Sequence, residues 1–167
     1  HPYHDAKGGF PAAVLLRSGD NKTEITGNFG PNWAVLILPY IEQDPLYRSV
    51  PDPASYPTTG DQGWKAVGKS RVPMMICASD VNGHGTTFSG AGGDWARGNY
   101  APNAGGIHGL ASPFSGNGWL TTEGGASPEH PGGDSIPAGA HGGGVMCINW
   151  GAKLTGIPDG SSNTILL

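Results

Sequence analysis

The chain has 167 residues, a net charge of −4 and only 13% charged residues, against 30 glycines and 15 prolines. That length suits one domain with its own core, while so much Gly and Pro confines regular structure to short segments between turns. The nine Lys and Arg are scattered singly, which excludes the basic row that would neutralise nucleic-acid phosphates, and five Trp, five Tyr and four Phe supply the aromatic mass that a disordered linker lacks.

In chain order, HPYHDAKGGFPA at 1–12 reads as the last turn of a helix. Lys7 lies near the C-terminal end, Gly8 or Gly9 supplies the left-handed cap, and Pro11 follows. Pro2 limits the helix here to about a turn, so the segment is either a frayed terminal turn or the tail of a longer helix. No charged and apolar leader pattern is present at the start. A short strand is expected at 23–26. Asn32 is a good N-cap, and Trp33, Leu36, Ile37, Tyr40 and Ile41 fall at helical spacing, the stripe of a helix with one buried face. Pro39 should bend it. Glu42 and Gln43 stop the apolar run far short of the ~20 residues of a membrane span, and Asp44 with Pro45 restarts a short helix as N-cap and N1.

Beyond this, Trp64 is the expected anchor of the loop 51–69, and 74–77 reads as a short buried strand. The stretch 81–144 reads as long loops, of the kind that carry function or form surface. A strand is expected at 145–150 by period-two alternation, another near 153–154, and then a turn at Pro158, Asp159 and Gly160. Leu167 ends the chain inside an apolar run, which reads as the interior of a longer sequence.

Several constellations carry chemistry on paper. Cys77 and Cys147 are too far apart for a CxxC site. They are a disulfide pair if the protein is extracytoplasmic, closing a loop worth roughly 3 to 5 kcal/mol, or else two buried thiols. Six histidines match no compact zinc pattern. Asp80, Asn82 and Asp94 offer hard oxygen ligands for calcium, yet miss EF-hand spacing, and turn formation is the competing role. No G-x-S-x-G elbow or facing carboxylate pair is present, so no enzymatic activity is expected. Trp95, Tyr100 and Trp119 sit among Gly, Asn and Ser, where rings either stack on sugar faces or a partner, or pin their loops to the core.

YHDAKGGFPA at 3–12, WAVLILPYIEQDPLY at 33–47, VPMMICASD at 72–80, GNYAPNAG at 98–105 and IPDGSSNTIL at 157–166 together resemble, in order, the recurrent blocks of the DUF1559 family. These are bacterial proteins with a prepilin-type N-terminus, numerous in planctomycetes. The resemblance implies an α+β, pseudopilin-like head with a small antiparallel sheet, short helices and long Gly/Pro-rich loops, spanning 1–167 as one domain. It further implies a cleaved leader and an apolar N-terminal helix, of which this sequence would hold only the end, at 3–7. The family's HPGG segment follows its DGSSNT block, whereas here HPGG at 130–133 precedes it, with Ala140 and His141 where an Asp-Gly would fall. The expected role is that of a structural subunit, type IV pilin-like or type II secretion-like, in an extracellular filament or envelope assembly. Its partners would be further subunits, with the membrane reached only through a helix before His1. The alternative is an extracellular module that binds polysaccharide or another solute. No cofactor is expected beyond the calcium candidate.

Overall fold

The computed structural model describes residues 2–15, 30–54, 63–81, 85, 87–88, 94–103, 145–147, 150–157 and 160–167. Among them are four short helices, α1 (Pro2–Lys7), α2 (Trp33–Ile37), α3 (Asp44–Tyr47) and α4 (Trp64–Gly68). Two antiparallel ribbons accompany them: β1 (Thr87–Phe88) with β2 (Trp95–Ala96), and β3 (Met146–Cys147) with β4 (Trp150–Gly151). The fold is α+β, as expected.

The organising element is α2. Asn32 caps it, its side-chain oxygen accepting from the Val35 amide at 3.2 Å. Pro39 has no N–H to offer the Val35 carbonyl; that carbonyl accepts from the Leu38 amide instead, and the chain tightens into a 3-10 turn at Leu38–Tyr40. The expected one-sided stripe is corrected here. Trp33 and Ile37 enter a cluster with Ala13, Val145, Met146 and Ala152, while Val35 and Leu38 enter a second with Trp64 and Val67. A short helix apolar on both sides is a wedge between two cores rather than a surface helix. Leu36, placed on the stripe by spacing, is only half-buried, whereas Leu38 is 2% exposed. Each large side chain so buried contributes on the order of 1.5 to 3 kcal/mol.

The Asp44–Pro45 signal places the next helix to within a residue, whereas several later elements differ from expectation. The α3 helix starts at Asp44 with Gln43 as N-cap, and the Asp44 carboxylate accepts from Arg48 Nε at 2.6 Å one turn on. Trp64 is buried as expected, but it opens a helix, α4, where a loop was anticipated. The strand expected at 74–77 is instead a 3-10 turn at Pro73–Met75, started by the fixed φ of Pro73. The single strand expected at 145–150 is two strands folded on each other, Met146 opposite Gly151 and Cys147 opposite Trp150. Leu154, expected in a strand, begins a 3-10 turn, Leu154–Gly156. Gly160 does adopt the left-handed φ of a turn, 78°, while Pro158, Asp159 and the strand expected at 23–26 lie outside the described residues.

Three hydrogen-bonded staples tie distant segments together. Residues 10–15 run between β4 and the entry to α2: the Phe10 amide donates to the Ala152 carbonyl at 2.9 Å and the Trp33 amide to the Ala13 carbonyl at 3.0 Å. Asn103 is the second staple. Its amide donates to the Leu166 carbonyl, its carbonyl accepts from the Val145 and Met146 amides, and its Nδ2 donates to the Ile165 carbonyl at 2.7 Å. Asn99 is the third, its Oδ1 accepting from the Cys77 amide at 2.8 Å and its Nδ2 donating to Asp80 Oδ2 at 2.6 Å.

Asn99→Ala is expected to cost about 1 kcal/mol through these two side-chain bonds. Asn99→Asp should cost more at neutral pH, because it sets a second carboxylate against Asp80, and the difference should shrink as acid protonates the pair. Urea titrations of both variants at pH 7 and pH 4 would check this ordering; Asn99→Asp matching Asn99→Ala at both would refute it.

Candidate functional site

Two places bring side chains together in ways that packing alone does not demand. The first is the seat of α1. This six-residue helix has no fully buried residue and is too short to persist unaided, so contacts to the rest of the domain hold it. Tyr3 meets Tyr40 edge to face, with centroids 5.1 Å apart. His4 tilts against Phe10 at 5.5 Å, and its Nε2 accepts from the Leu154 amide at 3.2 Å, which requires an unprotonated Nε2. The helix ends as the sequence indicates, with Gly8 at φ 78° and its amide donating to the His4 carbonyl at 2.7 Å.

The tyrosines of this seat give it a sign in alkali. Burial foremost, then Tyr40 and Tyr47, raises the Tyr3 pKa above its ordinary 10.0. Burial, then Asp52, Tyr40 and Asp44, raises that of Tyr47. A group whose pKa is raised by folding stabilises the fold below its unfolded value and loses that contribution as pH rises through the folded value. Stability should therefore fall above about pH 10, and Tyr3→Phe with Tyr47→Phe should move the alkaline transition upward. Lys65, whose pKa burial lowers, acts with the opposite sign, since its folded-state penalty is relieved as pH climbs toward its ordinary 10.5. Circular dichroism between pH 8 and 12 would read the balance; an unchanged transition in the double variant would contradict the seat.

The second place is an apolar cavity of about 360 Å³. The buried residues Trp33, Val35 and Leu38 and the half-buried Ala34 line it from α2 and the turn that follows, Trp64 and Val67 from α4, and Phe88, Trp95 and Ala96 from the β1–β2 ribbon. Trp95 lies flat on Trp64, centroids 5.1 Å apart and planes 11° from parallel. Gly68 permits this, because a Cβ there would stand 3.1 Å from the Trp95 ring. Asn32, Ser70, Arg97 and Tyr100, with its hydroxyl, supply the polar groups of the wall.

The residues singled out from sequence fare unevenly. One face of Trp95 is spent on Trp64, so it pins its ribbon to α4; Tyr100 is 46% exposed and also lines the cavity; Trp119 lies outside the described residues. Asp80 is held by Asn99, Asp94 is exposed, and Asn82 lies outside the described residues. Among the described residues no cluster of three His, Cys, Asp or Glu could hold a metal. Cys77 carries a free, half-buried thiol, and the side chain of Cys147 lies outside the described residues. Sequence reasoning missed Arg97 and the cavity altogether, because the lining comes from five segments that no local pattern connects.

A model of the family described as "Protein of unknown function (DUF1559)" matches residues 1–167, the whole chain. The chain belongs to DUF1559. No curated protein and no solved structure matches it. In this DUF1559 chain, the GNYAPNAG block on which the resemblance partly rested contains Asn99 and Asn103, two of the fold's staples. That gives the block a physical role in joining 75–80, 145–146 and 165–166. Among the described residues no helix is long and apolar enough to cross a membrane.

Proposed function

We propose that the chain is the globular head of a pseudopilin-like structural subunit, exported to the cell envelope or beyond it and assembled with further copies into a filament or secretion-type structure. The observation that carries this reading is the seat of α1: a helix end, capped by Gly8, fastened by Tyr3 on Tyr40 and by His4 on Phe10 and the Leu154 amide. A shaft-and-head subunit needs a rigid junction of this kind, so that force on the helix reaches the core. Membership of DUF1559 over the whole chain supports the same reading through the prepilin-type N-terminus that the family resemblance implies.

Mass spectrometry of the natural protein's mature N-terminus tests it. A peptide that begins upstream of His1, processed at a prepilin-type site and followed by an apolar stretch of about 20 residues, is the expected result. A mature N-terminus with no such stretch would remove the shaft and with it the proposal.

A further inference from the structure

We propose that the cavity between α2, α4 and the β1–β2 ribbon binds a small aromatic carboxylate, with the ring system inside and the carboxylate on Arg97. At about 360 Å³ the cavity lies at the lower end of the ~300–1,000 Å³ spanned by small-molecule sites, room for one compact ring system and not for a polymer. Its walls offer ring faces and aliphatic carbons: Trp33, Trp95, Phe88, Tyr100, Val67 and Leu38. Polar ligands are disfavoured there. The Asn32 side-chain oxygen is already taken by the Val35 amide, which leaves the Asn32 Nδ2, the Ser70 and Tyr100 hydroxyls and Arg97 to answer the many hydroxyls of a sugar among walls that are otherwise apolar, and unanswered hydroxyls cost too much to bury.

Arg97 sets the charge of the ligand. It follows directly on β2, is exposed, and contributes to the lining. Among the described residues no hydrogen bond or ion pair engages its guanidinium, and a free guanidinium fork matches a carboxylate with two parallel hydrogen bonds. A cationic ligand would be repelled, and a neutral one would leave the fork unused. Nothing in this inference depends on the head being carried on a filament, and its test is read on the isolated chain.

Titration of 2-naphthoate, with 2-naphthalenemethanol as its neutral counterpart, is followed by tryptophan fluorescence. Saturable binding of the carboxylate is expected, with the alcohol weaker by about tenfold or more, the scale of one charge-assisted bidentate contact. Arg97→Gln should bring the carboxylate down to the alcohol's affinity and leave the alcohol unchanged. Ala96→Phe, which fills the cavity from the ribbon, should abolish binding of both while circular dichroism stays unaltered. Equal affinities for acid and alcohol, indifference to Arg97→Gln, or the absence of saturable binding would each overturn the proposal. So would sedimentation showing that the cavity is covered by a second copy, with self-association that Ala96→Phe abolishes and 2-naphthoate does not affect.

Discussion

Trp64→Ala is expected to be the most damaging single truncation in the domain, lowering stability by about 3 to 5 kcal/mol. Trp64 is 3% exposed and packs with Val35, Leu38 and Val67 in one of the two clusters served by α2. Its removal leaves a void next to the existing cavity and takes away the ring on which Trp95 lies. The β1–β2 ribbon, with only two residues per strand, would lose that stacking contact, and such a hairpin is marginal in water without packing. Against a typical total of about 5 to 15 kcal/mol, a loss of this size removes a large fraction of the stability, and at the lower end of that range it leaves the protein partly unfolded near ambient temperature. Urea denaturation monitored by far-ultraviolet circular dichroism would measure it. A loss under about 1 kcal/mol would mean that the second cluster carries little of the fold.

Gly151→Ala is expected to be comparably severe by the opposite mechanism. A Cβ at 151 would overlap the Phe10 carbonyl oxygen and stand 2.5 Å from the Phe10 carbonyl carbon and 2.9 Å from the Pro11 carbonyl oxygen. These are backbone atoms, so relief requires moving either β4 or the 10–15 segment. Either shift strains the Phe10 amide bond to the Ala152 carbonyl and opens the cluster containing Ala152, Met146 and Trp33. About 3 kcal/mol or more should be lost, at the upper end of overpacking costs. The reporter is again a urea midpoint, with Gly156→Ala as the control, since a Cβ at 156 meets nothing within 4 Å. Equal stability of the two variants would contradict the close approach of residues 10–11 to β4.

The contrast between these two residues shows what the sequence could and could not convey. Features set by a few adjacent residues were legible: the Asn32 cap, the Gly8 termination, the break forced by Pro39 and the burial of Trp64 all follow from rules about single side chains. Features set by long-range closure were not. The crowding at Gly151 exists only because residues 10–11 pass across β4, and no local pattern announces that. The apolar run at 74–77 was ambiguous in the way short runs are; Pro73 resolves it toward a 3-10 turn, and Met75 still reaches the first cluster. The α2 stripe departs from a one-sided period because the helix serves two cores, so that Val35 and Leu38 are as buried as Trp33 and Ile37.

The candidate site divides along the same line. The α1 seat was half visible, since capping signals marked the helix end, while the partners Tyr40, Phe10 and the Leu154 amide come from elsewhere in the chain. Trp95, singled out in the sequence for ring stacking or loop anchoring, packs on Trp64 and also lines the cavity. The candidate calcium set drew Asp80 into view, and the structure shows its Oδ2 accepting from Asn99 Nδ2. Arg97 could be recognised only once the ribbon had been placed beside α2 and α4.

The central claim is that this DUF1559 chain is the head of an assembled subunit, and immunogold electron microscopy of the natural source with antibodies to residues 1–167 tests it most directly. The account predicts label repeating along filaments or concentrated at discrete envelope assemblies. Label spread evenly as dispersed single molecules, with none on any assembly, would contradict it.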